Sequence, residues 1–165
     1  MTAKLFFARA NNNTMAKILI WNSIARRRRS ISDTFYDNGL ATLKGYLEER
    51  GHQLQIVDWA RDDIFQKLSP LFLSRFIRLL YARLFATRRA SVKKILGVIA
   101  VPLQELLGTI QQKRLHARIE KLITHIEQQE HMLVGVKLWY GEAFRNACYF
   151  VERLKIRLPQ VVTVC

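Results

Sequence analysis

Lys17-Ile18-Leu19-Ile20-Trp21-Asn22 is the stretch that decides the fold, because it is a short unbroken apolar run, rich in β-formers, that ends in turn residues. A strand covered on both faces loses the in–out alternation of a half-solvated one, so this run predicts a central first strand. A polar loop follows from Ser23 to Asp33, and then Tyr36, Leu40, Leu43 and Leu47 fall at i, i+4, i+7 and i+11, one face of a helix. Glu49-Arg50-Gly51 stops that helix, since glycine takes the left-handed cap conformation without a steric penalty. Gln53 to Trp59 returns as a strand in which Gln55 alternates with Leu54 and Ile56, the mark of a better-solvated position nearer a sheet edge. One helix with tight loops between two strands predicts parallel pairing and a right-handed crossover.

The same unit resumes at Met132-Leu133-Val134-Gly135-Val136-Lys137-Leu138-Trp139, a third strand, followed by Gly141 and a helix with Phe144, Ala147, Cys148, Val151 and Leu154 as its apolar stripe. Pro159 ends that helix, and Val161-Val162-Thr163-Val164-Cys165 predicts a fourth strand at the chain terminus. A domain of this kind rarely stops inside a strand, so an incomplete sheet and a truncated product are expected. Residues 1–14, with Asn11-Asn12-Asn13, read as a loose leader, with Met15 as an alternative start, and 15–165 as a single α/β domain.

Residues 62–130 interrupt the alternation of strand and helix as a helical insertion. Between Leu68 and Thr87, Leu73, Phe76, Ile77, Leu80 and Leu84 line one side of a helix, and Arg75, Arg78 and Arg89 lie opposite. This basic amphipathic helix reads either as an attachment to an anionic membrane surface or as a cover for the sheet or for another domain. Ile95 to Ile110 contains Pro102, Gly97 and Gly108 and is expected to be kinked or broken. Gln111 to Gln129 carries Leu115, Ile119, Leu122, Ile123 and Ile126 at helical spacing, a packed surface helix.

The chain holds 27 Lys and Arg against 13 Asp and Glu, a formal charge of +14, so phosphates, nucleic acid or an anionic membrane surface are the natural neighbours. Half its 165 residues are hydrophobic, enough to bury a core. Cys148 and Cys165 stand far from any Cys-x-x-Cys or Cys/His spacing, which argues against zinc, an iron–sulfur cluster or a disulfide framework and suits a reducing cytoplasm. No apolar run is long enough for a membrane-spanning helix or a secretory signal.

Ile18 to Ser23, Ser32-Asp33-Thr34-Phe35-Tyr36-Asp37-Asn38-Gly39-Leu40-Ala41-Thr42-Leu43-Lys44-Gly45-Tyr46-Leu47-Glu48-Glu49-Arg50-Gly51-His52, and Val57 to Asp62 together resemble the N-terminal cobalamin-binding domain of cobalamin-dependent radical S-adenosylmethionine proteins. Val134-Gly135-Val136-Lys137-Leu138-Trp139-Tyr140-Gly141-Glu142-Ala143-Phe144-Arg145 looks like that family's third strand and its turn. The resemblance covers about half the chain. It implies a flavodoxin-like (Rossmann-like) parallel sheet binding the corrin at the carboxyl ends of its strands, with a radical S-adenosylmethionine domain, missing or separate, as partner. The family's Cys-x-x-x-Cys-x-x-Cys motif is not in this sequence, so no iron–sulfur cluster and no radical chemistry are expected of this chain alone. Asp-x-His-x-x-Gly, which supplies a lower cobalt ligand in many cobalamin domains, is absent too, so no histidine of this chain is expected on cobalt.

In an open parallel sheet, ligands bind beyond the carboxyl ends of the strands where strand order reverses, here between the first and third. The residues there are Asn22, Ser23, Trp139, Tyr140 and Gly141. Asn38-Gly39 offers either a close backbone approach to a large ligand or an ordinary helix start. Trp59 and Trp139, each ending a strand, offer either a platform for a flat macrocycle or core caps. Asp58 stands where a ribose-binding acid would, but the first turn has no Gly-x-Gly-x-x-Gly, so a nicotinamide cofactor is not expected. Arg26-Arg27-Arg28-Arg29 is either a phosphate contact or a solvated loop. His52, His116, His125 and His131 are scattered without metal spacing and carry no assigned role; no catalytic residue is assigned. The rival class of function is a basic, non-enzymatic protein that binds nucleic acid or an anionic membrane through Arg26 to Arg29 and the Arg75 to Lys94 region, with steep salt dependence.

Overall fold

The apolar run that opens the reading is strand β1 (Lys17–Asn22), and every residue in it after Lys17 is buried. The structure, a computed structural model, describes residues 15–23, 38–59, 64–138 and 141–165. The leader 1–14, Arg26 to Arg29, Tyr36, Trp139 and Tyr140 lie outside the described residues. β1 pairs in parallel with β2 (Gln53–Asp58) on one side, from Lys17 opposite Gln53 to Asn22 opposite Asp58. On the other side it pairs in parallel with β3 (Leu133–Lys137), from Ile18 opposite Leu133 to Asn22 opposite Lys137. β4 (Val162–Val164) runs parallel beside β3. The order β2-β1-β3-β4 makes an open, all-parallel sheet in the flavodoxin-like arrangement, with the crossover direction reversing between β1 and β3.

Helix α1 (Asn38–Glu48) connects β1 to β2 and lays Leu40 and Leu47 on Ile18, Ile20 and Leu54. Leu43, expected on the same face, is 40% exposed. The helix closes as the glycine predicts: Gly51 sits at φ 77°, its N–H donates to Glu48 O at 3.0 Å, and the His52 N–H donates to Leu47 O at 3.1 Å. This pair of bonds is a Schellman closure, which satisfies the last carbonyls of the helix.

The alternate residues of β1 face the other side of the sheet, where helix α5 (Glu142–Arg157) packs. Trp21, fully buried, meets Phe150 with ring centroids 4.5 Å apart and Trp59 edge-on at 5.3 Å. The buried face of α5 is Ala143, Asn146, Ala147, Phe150 and Leu154, which shares Ala147 and Leu154 with the expected stripe but not Phe144 or Cys148. Phe144 and Cys148 are exposed, and the true stripe is rotated away from them to take in a polar residue, Asn146, which apolar periodicity passes over.

The chain divides into two compact units: the sheet unit takes Leu122–Cys165 with the chain up to Asp62, and a helical unit spans Asp63–Lys121. In the helical unit, α2 (Ile64–Leu68) precedes α3 (Leu71–Ala86), whose N-cap is Pro70, a residue that lacks the N–H a helix interior needs. The amphipathic helix therefore starts at Leu71 rather than Leu68. Ile77 is buried and Leu73, Leu80 and Leu84 are half-buried, as the periodicity requires, but Phe76 faces outward. α4 (Ala90–Gln128) is one 39-residue helix with Pro102 inside it, not a broken segment followed by a second helix. Proline removes a single i to i−4 bond, and the bonds on either side carry the helix across that gap. Arg114 Nη1 donates to Leu68 O at 2.8 Å and Gln111 Nε2 to Ser69 Oγ at 2.7 Å, tying α4 to the end of α2.

Candidate ligand site at the carboxyl ends of the strands

At the carboxyl ends of β1, β2 and β3, register brings together side chains distant in sequence. Asn22 and Asp58 are lateral partners, and Asn22 Nδ2 donates to Asp58 Oδ1 at 3.0 Å. Ser23, almost wholly buried, donates from Oγ to the carbonyl of Lys137 at 3.3 Å. Burial holds the Lys137 ammonium below the usual lysine pKa. Gly141 precedes α5 at φ 73° and ψ −127°, a backbone conformation that costs a residue with a Cβ, and Glu142 opens the helix. The rim thus carries an amide, a carboxylate, a hydroxyl and a lysine, a mixed set of donors and acceptors at the switch point of the sheet.

Of the residues singled out in the sequence, Asn22 and Ser23 stand at this rim and Gly141 follows β3 in the same direction. Trp59 ends β2 as expected, but its ring is buried edge-on against Trp21, the arrangement of a core cap. Asn38 and Gly39 are the first two residues of α1, which is the helix-start alternative. Lys137 escaped the sequence reading, since only the Asn22–Lys137 register reveals it as part of the rim.

The opposite edge of the sheet holds a hollow of about 440 Å³ lined by Lys17, Glu48, His52, Gln53, Gln55 and His131 among others. His52 Nδ1 accepts from the Ala16 N–H at 3.4 Å, and His125 Nε2 lies 3.0 Å from Gln55 Oε1, to which it donates. The rings of His125 and His131 are 5.9 Å apart. Burial is the main cause that holds the His131 pKa below the ordinary histidine value; nearby His125 and Lys17 add to it, and a hydrogen bond with the Ile126 backbone opposes it. The sequence carried one signal for this edge: His52 and His131 each stand just before a strand, and parallel strands begin on one side. Among the described residues no group of three His, Cys, Asp or Glu is placed to hold a metal ion.

For a corrin at the carboxyl rim, the chemistry of the donor set is the test. Cobalamin is a flat macrocycle fringed with carboxamides, groups that pair with amide, hydroxyl and carboxylate partners of the kind gathered at the rim, where Asn22 and Ser23 are themselves buried and bonded within the protein. His52 and His131 precede their strands and His125 bonds Gln55, so none of these three stands at the carboxyl rim. No family model, no curated protein and no solved structure matches this chain.

Proposed function

We propose that this chain is a cobalamin-binding module, the N-terminal part of a cobalamin-dependent radical S-adenosylmethionine protein, which holds the corrin over the carboxyl ends of β1 and β3 and is not catalytic alone. The observation that carries the reading is the parallel β1–β3 pairing, which puts the two polar, buried residues Asn22 and Ser23 at the reversal of strand order, where open α/β sheets bind their ligands. Asn22, Asp58, Ser23 and Lys137 would hold the carboxamide fringe by hydrogen bonds, with Asn38, Gly39, Trp139, Tyr140 and Gly141 as the further candidate contacts. When bound, cobalamin supplies a transferable methyl group, and the protein supplies shape, orientation and exclusion of water. A radical S-adenosylmethionine domain is the partner that would use that methyl group. The free thiols of Cys148 and Cys165 suit a cytoplasmic setting, and no described helix is long and apolar enough to cross a membrane.

Incubation of the purified chain with hydroxocobalamin, followed by gel filtration and absorbance, tests the reading. A corrin spectrum that co-elutes with the protein, weakened in Ser23→Ala and Asn22→Leu and untouched by replacement of any histidine, is the expected result. A protein peak without corrin absorbance overturns it. Corrin retention that depends on His131 or His52 would move the site to the amino-terminal hollow.

A further inference from the structure

We propose that the outward face of α3 and of the first half of α4 binds an anionic membrane surface, lying in the headgroup plane with its apolar side chains sunk below it. The inference rests on the helical unit alone and stands or falls apart from the corrin reading.

From residue 64 to residue 104 the chain has eight Lys and Arg and not one Asp or Glu. An uninterrupted positive stretch of this kind is attracted to phosphate-bearing headgroups and meets no carboxylate that would repel them. The exposed surface of α3 is not the polar face that an ordinary amphipathic helix turns to water. Leu73, Ile77, Leu80 and Leu84 already occupy its inward side, yet Phe72 is 83% exposed and Phe85 78%, with Leu79 and Phe76 also outward. Phe72, Phe76 and Leu79 follow at i, i+4 and i+7, so they form one stripe, and the Phe72 and Phe76 rings stack at 6.4 Å. Arg75 and Arg83 flank that stripe. Their aliphatic stems can follow the apolar surface while the guanidinium groups reach up to headgroup phosphates.

α4 repeats the pattern beyond the Thr87-Arg88-Arg89 connection. Val92, Ile95, Ile99 and Leu106 are exposed at i, i+3, i+7 and i+14, with Val98, 68% exposed, beside them and Lys93 and Lys94 at the start of the helix. Two successive helices thus leave large apolar side chains in water next to a solid block of cations. Contiguous exposed apolar surface marks an interaction site. Branched aliphatic residues such as Val92, Ile95 and Ile99 have no flat face on which bases could stack, which favours lipid over single-stranded nucleic acid. The helices lie on the bilayer rather than across it, because none is apolar enough to span it.

Flotation of the full chain with vesicles tests this. It should float with phosphatidylcholine vesicles containing about one-third phosphatidylserine, stay behind with pure phosphatidylcholine, and be released by added salt. Phe72→Ser, Phe76→Ser and Leu79→Ser combined should weaken partition at least about tenfold. Arg75→Gln, Arg78→Gln and Arg83→Gln combined should weaken it on the order of a hundredfold. Arg145→Gln, in the sheet unit, should leave it unchanged. All the substituted side chains except the half-exposed Phe76 are well exposed, and unchanged circular dichroism confirms that the variants fold. Absence from the floating fraction, equal flotation with neutral vesicles, or indifference to the serine variant overturns the proposal. So does a stable dimer in lipid-free solution that the serine variant dissolves, which would assign the face to a second copy, or retention by duplex DNA with no retention by anionic vesicles.

Discussion

Phe150 and Trp21 form the seam between α5 and β1, and replacing each in turn separates packing from hydrogen bonding. Phe150 is fully buried against the Trp21 ring, so Phe150→Ala removes a whole aromatic contact and leaves a cavity, at a cost of about 3–5 kcal/mol. Trp21 is also fully buried, but its indole N–H has no hydrogen-bond partner among the described residues. Burying an unsatisfied donor costs about 1–3 kcal/mol, and Trp21→Phe removes that cost while it opens a smaller cavity worth roughly 1–2 kcal/mol. The two effects oppose each other, so Trp21→Phe should shift stability by no more than about 1 kcal/mol in either direction. Urea unfolding followed by far-ultraviolet circular dichroism reads both variants without depending on tryptophan fluorescence, with the slope m checked for constancy. If Trp21→Phe costs as much as Phe150→Ala, the indole N–H is satisfied and the reasoning fails. If Phe150→Ala costs less than about 1 kcal/mol, α5 does not pack on the sheet through this face.

Two helix ends in the sheet unit give opposite expectations. Gly51→Ala places a Cβ at φ 77° with nothing within 4 Å to clash, so its cost is conformational alone, about 1 kcal/mol by urea midpoint. Glu130 holds the same left-handed position at the end of α4, at φ 55°, with the Glu130 N–H on Glu127 O and the His131 N–H on Ile126 O, so Glu130→Gly should gain up to about 1 kcal/mol in the same assay. His131 has a folded-state pKa below the ordinary 6.5, so the unfolded chain takes up its proton more readily. Its contribution to stability is complete above 6.5 and is lost as pH falls below that value; His131→Gln should flatten the fall in urea midpoint between neutral pH and about pH 5, in part only, because burial lowers His116 likewise. Arg157 bonds Thr124 Oγ1 at 3.0 Å and pairs with the Glu127 carboxylate, but the pair is exposed, so Arg157→Ala should cost less than about 1 kcal/mol and the cost should shrink in salt.

The strands were legible because their signal is local. Ile18 to Trp21 and Leu133 to Val136 are apolar runs, Leu54 to Val57 alternates once through Gln55, and one helix between the first two strands forces parallel pairing with a fixed hand. The helices were legible in existence but not always in facing. Apolar periodicity aimed α5 at Phe144 and Cys148, whereas the true face turns away from both and includes a buried polar residue, Asn146, that an apolar pattern skips. Pro102 carried the local signature of a break, but a 39-residue helix absorbs the loss of one bond.

The sequence by itself determined the class of architecture, the central place of β1, the edge place of β2, and the charge that sets the helical stretch apart. Those properties follow from periodicity, chirality and composition, which act over a few residues or over the chain as a whole. Tertiary structure alone decided that Asn22 meets Asp58 and lies beside Lys137, that Trp59 caps the core, that His52 and His131 line one hollow, and that α3 shows phenylalanines on its outer side. Each of these depends on register or on which face a neighbour covers, and a shift of one residue along a strand turns every side chain to the other face.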